Sequence, residues 1–394
     1  PQWMFGVDKF DIVIGNPPYV SIRTKSFNIS FKKYYKDNFH LATGQYDLYV
    51  LFMERAQPML NKHGILNFII PTRFLSNETF EQARLFLYKN CRVKLYLNAE
   101  MPFEAANVEA NSLLCIKDGS NNSVLTYKYY VKTQNIAIQS RIRYSFIDKL
   151  PFSTYPFIVL QEDVNLINKI MGKNLDQLGK HLDITRGFEF GYNHESIHTQ
   201  ENDYPLLKSE SINRYIINNN LNLYVTPDFS NSSVYKSKSI FKKTPKLVTK
   251  FVSNDIIFAI DNIGYVNTNV VYNCHLKRDS DYSYFKLLGF LNTKLVSYWF
   301  KITFLNLDIL FPHIQKNQLE AIILPKDINW RKIEDITKQI MEKINNNDDV
   351  LEMDLHLNIY VYKHFCLLYN EVKLIDPQFP LSQTEYENFS IDEQ

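Results

Sequence analysis

Apolar and polar positions alternate with two different periods along this chain. Residues 9–15, KFDIVIG, are apolar and β-branched and end in glycine, which predicts a short buried strand. Residues 46–60, YDLYVLFMERAQPML, carry apolar side chains at helical spacing, and Pro58 should end or kink that helix in its last turn. KHG then makes a turn, and ILNFIIP (65–71) predicts a second buried strand. Residues 77–90 predict an amphipathic helix with Asn77 as its N-cap. VKLYLN (93–98) and NSLLCIKD (111–118) predict a third and a fourth strand. Strands that alternate with helices imply an α/β sheet covered on both faces.

Near residue 150 the texture changes, which suggests a boundary between residues 1–150 and a second region, 151–330. A helix over 162–172 leads into short strand-like pieces, LDITRGFEFGYN (182–193), PKLVTKFV (245–252) and IIFAIDNIGYVNTNVVYN (256–273). This region reads as mixed α/β with irregular loops. A helix is predicted over 283–300. Residues 331–394 form a C-terminal helical region, helical over 331–370, with a polar, acidic, frayed tail over 380–394. There is no internal repeat.

Composition narrows the options only slightly. The 394 residues include 28 Phe and 26 Tyr but 11 Gly, and most of the rings are expected to fill cores. The net charge is +2, so any nucleic-acid surface must be local rather than global. Cys91, Cys115, Cys274 and Cys366 form no CxxC or Cys/His cluster, and they predict reduced, mostly buried thiols, as in a cytoplasmic protein. No metal site is expected. No apolar run reaches the length of a membrane span, and no signal peptide is apparent. The chain opens on Pro1-Gln2-Trp3-Met4 and not on Met, as expected of a fragment of a longer protein.

The sequence that carries chemistry is Asn16-Pro17-Pro18-Tyr19, directly after the first strand. The amino group of adenine is a poor nucleophile, because its lone pair is delocalised into the ring. Two acceptors placed against its two hydrogens would localise that pair. The Asn16 side-chain carbonyl and the Pro17 backbone carbonyl can be those acceptors. Successive prolines fix φ and stiffen the loop, and the Tyr19 ring offers a stacking face. Ligands of open α/β sheets bind at the carboxyl ends of strands, where this loop lies. Such a base must first be flipped out of the duplex. As a mere turn, NPP followed by an aromatic would arise by chance in about one chain of this length in a hundred.

DIVIGNPPY resembles motif IV of the gamma-class, TaqI-like N6-adenine DNA methyltransferases, including the modification half of type IIG restriction–modification enzymes. Residues 44–75 resemble that family's motifs V to VII, and MPFEAANVEANSLLCI (101–116) its motif VIII. From 182 onward, ITRGFEFGYN, YPLLKSESINRY, LLGFLNTKLVSYWF and FPHIQKNQLEAIILP resemble its C-terminal specificity domain. The resemblance implies a partial doubly wound, Rossmann-like methyltransferase sheet, a target-recognition domain over 151–330 and C-terminal helices. It implies Phe103 as the aromatic that stacks on the flipped base opposite Tyr19, and Phe52 as a residue lining the cofactor pocket beside Asn16. The implied cofactor is S-adenosylmethionine and the implied partner is double-stranded DNA.

One departure matters. In the family, a Gly-rich motif I and the acids of motifs II and III precede motif IV, whereas only ten residues precede Asp11 here and no G-x-G occurs. The cofactor half of the sheet is expected to be missing, to be supplied by an N-terminal methyltransferase or nuclease part of the same polypeptide. The fragment alone should then be inactive. A PD-(D/E)xK nuclease site is not found.

Lys236, Lys238, Lys242, Lys243, Lys246 and Lys250 lie in a stretch whose only acid is Asp255, and they are candidates for phosphate contacts or for a solvated loop. Arg186 could read a guanine edge, hold a phosphate or form an ion pair. His313 reads as a packing residue, and Asp348 and Asp349 as solvated. Two alternatives stay open. NPPY also occurs in methyltransferases that act on RNA or on protein glutamine, and the chain could be a DNA-recognition module without activity of its own.

Overall fold

Strand β1 (Phe10–Gly15) and strand β2 (Leu60–Pro71) pair in parallel, joined by helices α1 (Ile29–Asn38) and α2 (Leu48–Met59). The computed structural model describes residues 8–23, 28–98, 110–118, 122–130, 135–156, 160–189, 197–199, 201, 204–226, 237–304 and 312–390. Helix α3 (Glu81–Asn90) follows, then β3 (Arg92–Asn98), β4 (Ala110–Ile116), β5 (Ser123–Tyr130) and β6 (Asn135–Arg143). The six strands form one mixed sheet in the order β1-β2-β4-β3-β5-β6. Along β2 from Gly64 onward, fully buried positions alternate with half-buried ones, as two-residue periodicity requires. Leu66, Ile70, Val93, Leu95 and Leu113 are fully buried, as are Tyr49 and Met53 of α2.

Two expectations need correction. Strand β1 is not buried: Ile12 is 62% and Ile14 75% exposed. It is the edge strand and pairs on one side only, which an apolar run cannot announce. The β5–β6 hairpin is absent from the predicted strands, because its many Thr, Lys, Gln, Ser and Arg residues blur the apolar alternation.

The other elements follow their local signals. Pro58 sits in the last turn of α2. The Asn77 side chain accepts from the Thr79 amide at 2.9 Å, capping a short 3₁₀ turn that leads into α3. Arg84 of α3 is fully buried, and among the described residues no carboxylate forms an ion pair with it. Its guanidinium donates to the carbonyls of Phe74, Asn77, Phe152 and Ser153 and so ties two turns together. Burial lowers its pKa to about 10.

The chain divides into two units, Pro1–Asn168 with Ile302–Asp308 and Lys169–Lys301 with Ile309–Gln394. In the second, β7 (Leu182–Arg186), β8 (Lys246–Lys250), β9 (Phe258–Asp261) and β10 (Val271–Leu276) form an antiparallel sheet in the order β9-β8-β10-β7. A second small sheet joins Val266–Asn267, Tyr204–Leu207, Tyr224–Val225 and Ile197–His198. Gly187, just after β7, lies where a Cβ would stand 2.1 Å from the Asn267 carbonyl oxygen, so this crossing admits no side chain.

The helix predicted over 283–300 is broken into two, Tyr284–Leu291 and Lys294–Phe304. Asn292 is the reason. Its amide accepts from the Phe258 N–H and donates to the Phe258 carbonyl, both at 2.9 Å, so it pairs with β9 as a strand residue would. The C-terminal region is helical at Trp330–Asn345, Leu351–His364 and Tyr369–Ile375. Within the described residues the tail is not frayed. A helix at Gln383–Asn388 buries Tyr386, whose hydroxyl donates to the Leu367 carbonyl at 2.9 Å. The periodic signal was too short there to show a fourth helix.

Cys91, Cys115, Cys274 and Cys366 are free thiols and the first three are buried, as expected. No helix among the described residues is long and apolar enough to cross a membrane.

Candidate functional site

The Asn16-Pro17-Pro18-Tyr19 loop leaves the carboxyl end of β1. Pro17 is buried, Tyr19 half-buried, and Asn16 and Pro18 exposed. Among the described residues no protein group engages the Asn16 side chain, so its carbonyl is free to accept. The loop is held from behind. Leu48 N–H donates to the Val20 carbonyl at 2.9 Å and Ile22 N–H to the Tyr46 carbonyl at 3.3 Å, which ties residues 20–22 to the start of α2.

Tyr19 rests on a column of rings. It meets Tyr49 at 84° with centroids 6.0 Å apart, and Tyr49 packs on Phe74 and Phe80 at 6.1 and 5.4 Å. The hydroxyls of Tyr19 and Tyr49 are buried without partners. Burial pushes Tyr19 up to about 12, so the phenol stays neutral. A neutral ring fixed at its base can act as a stacking surface but not as a proton acceptor.

Asp47 closes the back of this loop. It is 3% exposed and pairs with Arg73 while bridging to Ser21. Burial nevertheless raises its carboxyl above the ordinary range, against the pull of Arg73 and the Ser21 hydroxyl. Arg73 is half in solvent, which weakens its compensation. A raised carboxyl pKa gives most stability at low pH, and that stability falls as pH climbs from the unfolded value through the folded one. We expect Asp47→Asn to flatten this decline as pH rises from the ordinary carboxylate value of about 4. Urea unfolding over that rise in pH should show a smaller drop in the variant, and an equal drop would refute the assignment.

Phe52 lies on α2 and is 49% exposed. Phe103 lies outside the described residues, as does Lys236.

The structure separates the remaining lysines. Lys238 and Lys242 are exposed on a short helix, 5.5 and 4.5 Å from the centre of the Tyr204 ring, and Lys243 is exposed beside them. Lys250 is half-buried, and burial lowers its pKa. Lys246 corrects the expectation of a phosphate contact. It is 0% exposed and its ammonium donates to Asp261 at 2.5 Å and to the Phe241 carbonyl at 2.6 Å. Its strand is buried on both faces from Lys246 to Thr249, and a cluster of lysines in sequence does not reveal which of them the fold covers.

Arg186 is part of a stack that spans distant segments. Its guanidinium lies 3.8 Å from the centre of the Phe251 ring, and Phe251 stacks on the exposed His313 with centroids 4.8 Å apart. Its Nε donates to the Asn269 carbonyl at 2.7 Å. Sequence reasoning weighed Arg186 and His313 singly. Only the antiparallel bridge between Val252 and His313 brings them together.

Comparison with known proteins agrees with the motif reading. Residues 1–103 match the Eco57I restriction-modification methylase family, and residues 204–324 match the TaqI-like C-terminal specificity domain family. One segment of the chain is thus similar to restriction–modification methylases and another to a TaqI-like specificity domain. The type II restriction enzyme and methyltransferase RM.Eco57I of Escherichia coli is 27% identical over 53% of this chain and 22% of its own length. The type II methyltransferase M.TthHB8I of Thermus thermophilus is 31% identical over 30% of this chain and 31% of its own. The chain therefore spans less than a third of either relative. Among solved structures, the type IIL restriction–modification enzyme MmeI, determined in complex with DNA, aligns over 95% of this chain and 56% of its own with a TM-score of 0.53 at 14% identity, a likeness of fold.

The sequence has no G-x-G turn to admit a backbone close to a ligand, and Ile12 and Ile14 beside the loop are bare. Among the described residues, His, Cys, Asp and Glu form no group that could hold a metal ion.

Proposed function

We propose that this chain is the base-binding and DNA-reading part of a site-specific N6-adenine DNA methyltransferase of the type IIG kind. The observation that carries the reading is the Asn16-Pro17-Pro18-Tyr19 loop at the carboxyl end of a strand in a parallel pair. The Asn16 carbonyl and the Pro17 carbonyl would accept the two amino hydrogens of a flipped adenine and localise its lone pair. Tyr19, seated on Tyr49, would stack on one face of the base, and Phe103 on the other. The second unit would read the sequence, with Lys238, Lys242 and Lys243 on phosphates and Arg186 at a base edge or phosphate. Phe52 would line the cofactor pocket, and the methyl donor, S-adenosylmethionine, would be held mostly by residues of a preceding segment of a longer cytoplasmic polypeptide.

The bare Ile12 and Ile14 favour a second reading for the chain by itself, that of a DNA-binding module without methyl transfer. The test is to incubate duplex DNA with the full-length polypeptide and labelled donor and to digest the product to nucleosides. N6-methyldeoxyadenosine is the expected product. Label found only in RNA or in protein glutamine would replace this reading with another methyltransferase class. The same assay with the present chain alone should give no product.

A further inference from the structure

The segment 21–40 holds five cations, Arg23, Lys25, Lys32, Lys33 and Lys36, against one acid, Asp37. The chain as a whole has a net charge of only +2, so the remainder is net negative. Within this segment α1 has no buried residue. It is fastened through one line of rings, Tyr35 and Phe39, which pack on the cluster of Ala42, Tyr46 and Leu51. Glu54 of α2 secures its end by accepting from the His40 and Leu41 amides at 2.7 and 2.8 Å.

The helical repeat puts Lys32, Lys33 and Lys36 along one side of that fastening line and Phe31 and Tyr34 on the other. Lys32 and Lys36 are one turn apart, about 6 Å along the axis. Like charges at this spacing weaken an isolated helix, and among the described residues no acid pairs with any of the three ammonium groups. Lys32 and Lys36 line an open hollow of about 650 Å³ together with Ile22, His40, Tyr46 and one carboxylate, Asp37. Ile22 and Tyr46 belong to the same hydrogen-bonded stretch that holds the Tyr19 loop. The hollow thus flanks the proposed base-binding loop.

Resting on the DNA reading above, we propose that the lysine edge of α1 and this hollow form a phosphate-binding surface that grips the DNA backbone beside the target base. Charge complementarity selects an anionic polymer. The neighbouring Tyr19 loop selects a nucleic acid over an anionic membrane surface, the other partner that segregated lysines and rings would fit.

Each phosphate contact adds about 0.9 to the slope of log affinity against log salt concentration. The test measures fluorescence anisotropy of a labelled random-sequence duplex with the full chain at several salt concentrations. The K32Q/K33Q/K36Q variant should lose about two to three from that slope, and about 10- to 100-fold in affinity near 0.1 M salt. The F31A/Y34A variant should keep the parent slope. Circular dichroism and melting should match the parent in both, since these side chains are exposed or half-buried. A parent that binds duplex with a slope unchanged by the lysine substitutions overturns this proposal and leaves the DNA reading intact. A parent that binds no duplex at low salt overturns both. Anionic phosphatidylserine vesicles bound in a lysine-dependent way, with duplex binding unaffected, would also overturn it.

Discussion

Replacing Lys246 by alanine is expected to destabilise the second unit by about 3–5 kcal/mol, the range for removing one partner of a buried pair. Both Lys246 and Asp261 are 0% exposed, so solvent screens neither. Burial, and to a lesser degree Lys242, lowers the lysine pKa, and Asp261 opposes that shift. The carboxylate also accepts from the amides of Ile263, Gly264 and Tyr265 at 2.8–2.9 Å and shapes the turn after β9. That turn contains Gly264 at φ +87°, a conformation other residues rarely hold. Without the ammonium, the Asp261 carboxylate would lose its counter-charge in a dry site. The melting temperature of the unit should fall by roughly 10 °C, which differential scanning calorimetry would show. The double variant Lys246→Met with Asp261→Asn should recover much of the loss, because the isolated charge is gone. A single variant that melts within about 2 °C of the parent would mean that the pair does not hold this unit together.

Asn16→Ala should lower the methylation rate of the full-length polypeptide by about 100- to 1000-fold, the usual scale for losing one preorganised polar group from a transition-state site. Duplex affinity should stay the same. The side chain is exposed and unengaged, so stability should change by less than about 0.5 kcal/mol. The second acceptor, the Pro17 carbonyl, belongs to the backbone and survives the substitution, so activity should be reduced rather than erased. The measurement is a single-turnover methyl-transfer rate beside a duplex titration. A rate within tenfold of the parent would show that Asn16 does not orient the amino group.

These two residues also show how far the sequence could be read. The place of Asn16 after a strand was legible because it is set locally. Two prolines fix the backbone around it, and an apolar run before it ends a strand. The helix at 48–59, the cap at Asn77 and the strand at 65–71 were legible for the same reason, since each rests on the spacing of near neighbours. The two families matched, and the free thiols, were legible as well.

Lys246 was not legible, because nothing in the run of lysines from 236 to 250 states which one turns inward to a carboxylate fifteen residues away. The break at Asn292 depends on a strand edge at Phe258, and the Arg186–Phe251–His313 stack depends on pairing between distant segments. The sequence by itself determined the place of the Asn16–Tyr19 loop at the end of a strand and the period of most elements near it. Only the tertiary structure decided that β1 is a bare edge, that Tyr19 stands on a buried column of rings, and which cations face solvent. Period and propensity act over a turn or two of chain, whereas burial and charge pairing are set by whatever the fold brings alongside.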